Sequence, residues 1–211
     1  ARQWLLYVAG TTILLASLVA LRKDNLKTRL AYSTVSQLGY IVLGALLATN
    51  AGVIGGSMHL VMHAFGKITL IFCAGAILVA THKTKVSQLN GLGKTMPVTM
   101  SAFFIATLSI IGLPPAGGAW SKWFLMLGSL DTGQRLMIAI LVLSTLLNIA
   151  YLITIPVRAF FSPAETSTYG DRINEAPLLC LVPLCLTAAG CIALFFYADN
   201  LYQLLSRLAT N

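Results

Sequence analysis

Charged residues are scarce in this chain, and their scarcity defines the environment that the chain can occupy. Only 9% of the 211 residues are Asp, Glu, Lys or Arg, against about a quarter in soluble domains. Hydrophobic residues make up 57%, and the mean hydropathy is +0.83. The composition excludes an ordinary soluble domain and predicts an integral membrane protein. Polar and apolar residues do not alternate over ten-residue blocks, which disfavours a β-barrel and leaves a helix bundle.

Acidic residues are missing from the apolar runs. All six lie in connecting segments or near span ends: Asp24, Asp131, Glu165, Asp171, Glu175 and Asp199. A sodium site built from the side chains of this chain would therefore lack the carboxylate that hard cations favour. Since the ionisable groups inside the membrane are all basic, we expect proton transfer through lysine, histidine and water.

Motifs for metals and redox cofactors are also missing. The four cysteines form no CxxC pair, which disfavours metal and iron–sulfur ligation: Cys73, Cys180, Cys185 and Cys191. We expect them to pack in apolar spans as small hydrophobic residues. No fingerprint for a dinucleotide is present, and no motif indicates flavin, nicotinamide or quinone binding. We therefore expect no metal, no cofactor and no catalytic motif on this chain.

Apolar runs of about twenty residues, the length that crosses a bilayer, recur along the chain. They predict six transmembrane helices, at residues 4–21, 30–49, 53–80, 98–130, 136–157 and 176–197. Pro114, Pro115, Gly117 and Gly118 interrupt the fourth run. Proline removes a backbone donor, and glycine permits conformations closed to other residues, so the sequence predicts a helix that breaks at membrane depth. Such a break requires cover from protein or water.

The basic residues outside the spans predict an orientation. Nine fall on one side of the predicted membrane: Arg22, Lys23, Lys27, Arg29, Lys83, Lys85, Lys94, Arg158 and Arg172. Three fall on the other: Arg2, Arg135 and Arg207. The positive-inside rule makes the first side cytoplasmic. We therefore interpret the net charge of +8 as orientation with some attraction to anionic lipid headgroups, and we expect no nucleic-acid partner.

Three ionisable residues lie inside the third apolar run. His59, His63 and Lys67 are spaced four apart, so on a helix they climb one face. A lysine charge at the membrane centre costs roughly 3 kcal/mol, and such residues usually face a hydrated interior and mark an ion or proton path. Lys122 occupies a comparable position just after the predicted break. The pattern indicates a ladder of groups that exchange protons.

Three motifs in the same order resemble those of the antiporter-like membrane subunits shared by respiratory complex I and the multisubunit cation/proton antiporters. Residues 24–40 read DNLKTRLAYSTVSQLGY and resemble the DxKRxLAYSTxSQxGY signature. Residues 59–67 read HLVMHAFGK and resemble the HxxxHAxxK helix. Residues 112–122 read GLPPAGGAWSK and resemble the broken helix with its buried lysine. The wording of the last two is most similar to the D-type membrane protein of the Mrp antiporters.

The resemblance implies an all-α membrane fold with two inverted five-helix repeats, each broken at its fourth helix. Residues 1–161 correspond to the second repeat, and residues 162–211 to a connecting loop and one final transmembrane helix. The first repeat, which holds the family's buried glutamate and first buried lysine, is absent from this chain. We therefore expect the chain to be a piece of something longer, or another chain to supply that half.

The resemblance also implies site residues. Lys27, Lys67 and Lys122 would line a horizontal hydrated axis, and His59 and His63 would pass protons along it. The alternatives are plainer: Lys27 could be an orientation charge, Lys122 a snorkelling lysine at a shifted helix boundary, and the histidines bonds between helices. We interpret a further set of polar and aromatic residues mainly as packing: Tyr32, Ser33, Ser36, Gln37 and Tyr40. Gly66, where the family commonly has a bulky residue, would leave room for water.

The leading hypothesis is a proton-translocating subunit of a multisubunit monovalent cation (Na⁺)/proton antiporter in a bacterial-type inner membrane. An alternative places the same relay in a redox-driven complex I-like or membrane hydrogenase assembly. A second alternative is a scaffold that transports nothing. Expected partners are other membrane subunits, a chain supplying the first repeat, protons, monovalent cations and lipids.

Overall fold

Helices make up most of the computed structural model, which describes residues 2–163 and 173–209. The helices are α1 (Arg2–Arg22), α2 (Leu26–Leu47), α3 (Asn50–Thr81), α4 (Leu92–Thr95), α5 (Pro97–Ile111), α6 (Gly118–Asp131), α7 (Arg135–Leu152), α8 (Thr154–Phe161), α9 (Leu178–Phe196) and α10 (Ala198–Ala209). A 3₁₀ turn covers Val86–Leu89. Most of the predicted connecting loop, with Glu165, Asp171 and Arg172, lies outside the described residues.

Five helical stretches of the described chain are long and apolar enough to cross a membrane: α1, α2, α3, α7 with α8, and α9. The remaining crossing is divided into α5, with 15 residues, and α6, with 14. At 1.5 Å per residue each half is too short for a hydrocarbon core of about 30 Å, so the two halves together make one passage. The predicted all-α membrane fold with a broken fourth crossing is confirmed.

Helix α3 lies at the centre of the bundle and packs against α2, α5, α6, α9 and α10. Glycines allow this crowding. A Cβ atom on Gly55 would lie 2.7 Å from the backbone nitrogen of Leu125 in α6, and one on Gly128 would lie 2.6 Å from that of Gly52. Small residues let helices approach closely in a membrane, where van der Waals packing drives association.

The loops before α2 and after α3 are joined at one end of the bundle. Leu26 N donates to Thr84 O at 2.8 Å, and Val86 N donates to Asp24 O at 2.7 Å. The Asp24 carboxylate also accepts from the Ser87 backbone at 3.0 Å and from its hydroxyl at 2.8 Å. The two basic segments on the predicted cytoplasmic side are therefore held at the same end.

A carboxylate caps the first half of the broken crossing. Glu175 accepts hydrogen bonds from Val98 N at 2.6 Å, from Thr99 N at 3.3 Å and from the Thr99 hydroxyl at 2.7 Å. The first amides of a helix have no partner inside the helix, and its dipole favours a negative charge there. Glu175 thereby joins the segment before α9 to the start of α5.

The break differs in detail from the sequence prediction. Helix α5 ends at Ile111, and Gly112 adopts a left-handed conformation with φ of +88°. Gly117 has an ordinary φ of −55°, and its amide donates to Cys191 O of α9 at 3.1 Å. A Cβ atom on Gly118 would lie 1.9 Å from Ser109 O. Conformational freedom is therefore used at Gly112, whereas Gly118 permits close approach and α9 covers the break.

Helix α10 was not predicted from the sequence. Its 12 residues are too few to span a membrane, and its apolar side packs on α3 and α6. Leu201 and Leu205 contact a cluster containing Met58 and Met62, and the Tyr202 ring stacks on Phe124 with centroids 5.2 Å apart. The mixed composition of the segment hides it from a search for long apolar runs.

We expect Gly118→Ala to destabilise the protein by about 1–3 kcal/mol or more, because the new methyl group would overlap Ser109 O and force backbone shifts. The matched control is Gly75→Ala in α3, where a Cβ atom meets nothing within 4 Å. That change should be neutral or stabilise by about 0.5–1 kcal/mol. Thermal unfolding of both variants in one detergent measures the difference, and equal stabilities would contradict the close approach.

The second prediction concerns Asp24. The hydrogen bond from the Ser87 side chain holds the pKa of this carboxyl below its usual range, with burial opposing the shift. A carboxyl whose pKa is lower in the folded state stabilises the fold above its unfolded pKa of about 3.9, and the contribution is lost as pH falls through the folded value. Asp24→Asn should therefore unfold at a lower temperature than wild type at pH 7, and the gap should close at about pH 3. A gap independent of pH would contradict a role for the charge.

Candidate functional site

Four basic side chains lie buried between α2, α3, α6 and the end of α5. His59, His63, Lys67 and Lys122 are between 2% and 7% exposed. No Asp or Glu is buried among the described residues, so carbonyls, hydroxyls, amides and aromatic rings surround these groups. Burying a charged group is costly unless it is paired or hydrogen-bonded.

Lys67 is held by helix α2. Its Nζ donates to Leu30 O at 3.1 Å and to Ser33 Oγ at 3.0 Å. The helical spacing of α3 carries Lys67 to this position, two turns beyond His59. Ser33, interpreted from the sequence mainly as a packing residue, is a direct partner of the buried lysine.

Lys122 is held at the helix break. Its Nζ donates to Ile111 O at 2.7 Å and to Thr145 Oγ1 of α7 at 3.3 Å. Ile111 is the last residue of α5, where carbonyls lack partners within the helix and the helix dipole is negative. The break therefore supplies the acceptor for this ammonium group.

His59 joins three helices through its two ring nitrogens. Its Nε2 lies 3.0 Å from Gln37 Oε1 on α2, and its Nδ1 lies 2.9 Å from Ser121 Oγ on α6. An amide oxygen only accepts, so Nε2 carries a hydrogen in this arrangement. Ser121, immediately before Lys122, was not identified from the sequence.

His63 continues the row along α3. Its ring stacks on that of His59, with centroids 6.1 Å apart, and its Nε2 is buried without a partner among the described residues. The neighbouring Gly66 does not leave the room expected from the sequence, because a Cβ atom there would lie 3.0 Å from Ile110 Cδ1. The expectation for Gly66 was wrong, since α5 packs into the space.

Tyr40 bridges the histidine row and the second lysine. Its fully buried ring stacks on His59 at a centroid distance of 5.2 Å, and Lys122 Nζ lies 5.1 Å from the centre of the same ring. A cation over an aromatic face is stabilised by the ring quadrupole. The interpretation of Tyr40 as ordinary packing missed this position between two candidate site residues.

The structure places Lys27 elsewhere. It lies in the first turn of α2 and is exposed, whereas Lys67 and Lys122 are buried. Ser36 is also outside the row and bonds to Ser17 of α1 at 2.9 Å. The site therefore brings together four of the five residues proposed as a relay, and it leaves Lys27 in the basic loop region.

Helix α7 contributes polar residues that the sequence reasoning passed over. Ser144 and Asn148 are fully buried, and Thr145 accepts from Lys122. The Tyr40 hydroxyl lies among these three side chains. Their spacing within an otherwise apolar run, at 144, 145 and 148, was the available signal, since polar side chains facing one side of a membrane helix indicate a buried face.

Comparison with known proteins accounts for this arrangement. The family described as "NADH:quinone oxidoreductase/Mrp antiporter, TM" matches residues 1–148, which include every buried basic residue described above. The chain belongs to this family. The sequence resemblance to antiporter-like subunits is confirmed.

Individual members of the NADH:quinone oxidoreductase/Mrp antiporter family extend the match to nearly the whole chain. NADH-quinone oxidoreductase subunit N of Desulforudis audaxviator is 35% identical over 92% of this chain and 41% of its own length. Subunit L of Mycobacterium tuberculosis is 33% identical over 88% of this chain and 30% of its own. The chain spans less than half the length of these relatives.

A solved structure shares the fold. A chain of the Mrp complex from Dietzia sp. DQ12-45-1b superposes with a TM-score of 0.91 at 25% identity, covering 100% of this chain and 47% of that one. The bundle with its broken crossing is therefore the architecture of an antiporter-like family member.

We expect the lysines of this family member to differ in reactivity towards a water-soluble amine reagent. Lys27 and Lys94 are exposed and should be modified rapidly, whereas Lys67 and Lys122 should resist because their ammonium groups are buried and hydrogen-bonded. Reductive methylation followed by peptide mass spectrometry measures each site. If Lys27 were protected as fully as Lys67 in the detergent-extracted protein, its placement outside the buried row would be wrong.

Proposed function

We propose that this chain carries part of a proton-translocation path within a multisubunit membrane complex. The observation that supports the proposal best is the continuous row of buried basic groups from Lys67 through His63 and His59 to Lys122. Successive members share a helix face, stacked rings or the ring of Tyr40. Lysine and imidazole both exchange protons, so such a row suits proton transfer better than cation ligation.

The energetics are compatible with this role. Each ammonium group has two oxygen partners in place of a carboxylate, so its charge is balanced by dipoles alone. Like charges along the row repel one another, so loading one site favours release from the next. Moving one charge across 100 mV is worth about 2.3 kcal/mol, comparable to the insertion cost of a buried lysine, so membrane potential is sufficient to bias the relay.

The assembly in which the relay works is the finer part of the proposal. The relatives with the higher identities are named as NADH-quinone oxidoreductase subunits, which supports a redox-driven complex. The match to a chain of an Mrp complex supports the second candidate, a Na⁺/proton antiporter. In either case the partners would be other membrane subunits, one of which or an additional segment would supply the first repeat, in a bacterial-type inner membrane. Lys27 would act on orientation or at the entrance rather than in the row.

We expect Lys67→Met to reduce proton flux in vesicles containing the intact complex by about a hundredfold, the lower end of what one positioned proton-transfer group contributes. Methionine has a similar shape, so the loss would reflect the missing amine. The matched control is Lys94→Met, since Lys94 is exposed in α4 and should leave flux unchanged. Both variants are compared at equal subunit levels.

Unchanged flux in Lys67→Met with the assembly intact would overturn the relay and favour a scaffold role. The energy source separates the two assemblies. Flux that follows electron donor oxidation and ignores a sodium gradient would support the redox-driven complex. Flux that is driven by a sodium gradient alone would support the antiporter.

A further inference from the structure

One hydroxyl hydrogen has two competing acceptors beside the helix break. Ser121 Oγ lies 2.9 Å from His59 Nδ1 and 3.0 Å from the carbonyl oxygen of Gly118. A serine hydroxyl has a single hydrogen, so it donates to one of these acceptors at a time. Ser121 is fully buried. The hydrogen-bond pattern at this point therefore depends on whether His59 Nδ1 carries a proton.

Gln37 removes the ambiguity about the other ring nitrogen. Its oxygen accepts from His59 Nε2, so a neutral ring is protonated there and is bare at Nδ1. Ser121 then donates to Nδ1 and has no hydrogen left for Gly118. When His59 gains a second proton, Nδ1 becomes the donor to Ser121 Oγ, and the serine hydrogen turns to the Gly118 carbonyl. No covalent bond of Ser121 breaks, and the added proton stays on the imidazole.

We propose that Ser121 is a positioning residue that couples the proton on His59 to the backbone of the broken helix. The inference rests on the proposed function, because it assigns a role within the same relay. Gly118 is the first residue of α6, and Lys122 follows Ser121 directly. Its carbonyl also lies close to Gly112, at the end of α5. Rotation of one hydroxyl thus changes the polarity of the break beside the second lysine.

The remaining ionisable groups near His59 come from several helices. Tyr40 stacks on it from α2, His63 and Lys67 share α3 with it, and Lys122 approaches from α6. Helices α5 and α9 contain no Lys, Arg, His, Asp or Glu, and Asp199 and Arg207 of α10 are exposed. Because a substitution at Ser121 leaves all these groups in place, a change in pH dependence would report the hydroxyl itself.

The test measures the pH dependence of proton flux in vesicles containing the assembled complex. In Ser121→Ala we expect flux to fall about tenfold and its half-maximal pH to move by about one unit, the effect of losing one charge-assisted hydrogen bond. Ser129→Ala is the matched control, because Ser129 is fully buried in the same helix and donates to Leu125 O at 2.9 Å without meeting a histidine. Its profile should be unchanged. Ser121→Thr keeps the hydroxyl and should restore the wild-type profile.

A fall in flux by the same factor at every pH, or the same shift in Ser129→Ala, would overturn the coupling and leave Ser121 a structural residue. If Ser121→Ala does not assemble, Ser121→Cys replaces it, with a similar shape and a weak S–H donor, and should move the profile in the same way.

Infrared difference spectra of ring-labelled histidine separate this inference from the proposed function. The band lost in His59→Gln identifies His59, and its protonation is followed against pH without any flux measurement. A Ser121→Ala titration identical to wild type would overturn the role of Ser121 even if Lys67→Met abolishes flux. A displaced titration would support that role even if Lys67→Met leaves flux unchanged, in which case the proposed function alone fails.

Discussion

Burial of lysine amines where no described carboxylate is buried is the constraint on which much of this structure depends. An ammonium group in such a place requires oxygen acceptors with the correct geometry, and backbone carbonyls within helices are mostly occupied. Lys67 therefore uses a carbonyl and a hydroxyl of α2, and Lys122 uses the last carbonyl of α5. The acceptor for Lys122 exists because the fourth crossing is broken.

The break in turn depends on its neighbours. Gly112 turns the chain out of α5, Gly118 lets α6 begin against Ser109, and α9 accepts a hydrogen bond from the freed amide of Gly117. Exposed irregular backbone is not tolerated in lipid, so the cover from α9 makes the broken helix possible. Packing around Gly118 is thereby linked to the ionisable row, although no glycine side chain touches a lysine.

Much of the fold could be predicted from apolar runs and charge positions. A run of about twenty apolar residues has few alternatives to a membrane helix, and Pro114 and Pro115 interrupt such a run for a local steric reason. The shorter α10 could not be found in this way, because its amphipathic residues become buried only against Met58 and Met62. Gly66 was misjudged for a similar reason, since the side chain that fills its space comes from α5.

The amino-acid sequence by itself determined the membrane environment, the broken crossing and the spacing that aligns His59, His63 and Lys67 on one helix face. These properties follow from local composition and from the period of the α-helix. Only the tertiary structure decided that Tyr40 lies between His59 and Lys122, that Ser121 meets His59, and that Lys27 stays exposed. Contacts between helices depend on their rotation and depth in the bundle, which packing of the whole chain sets.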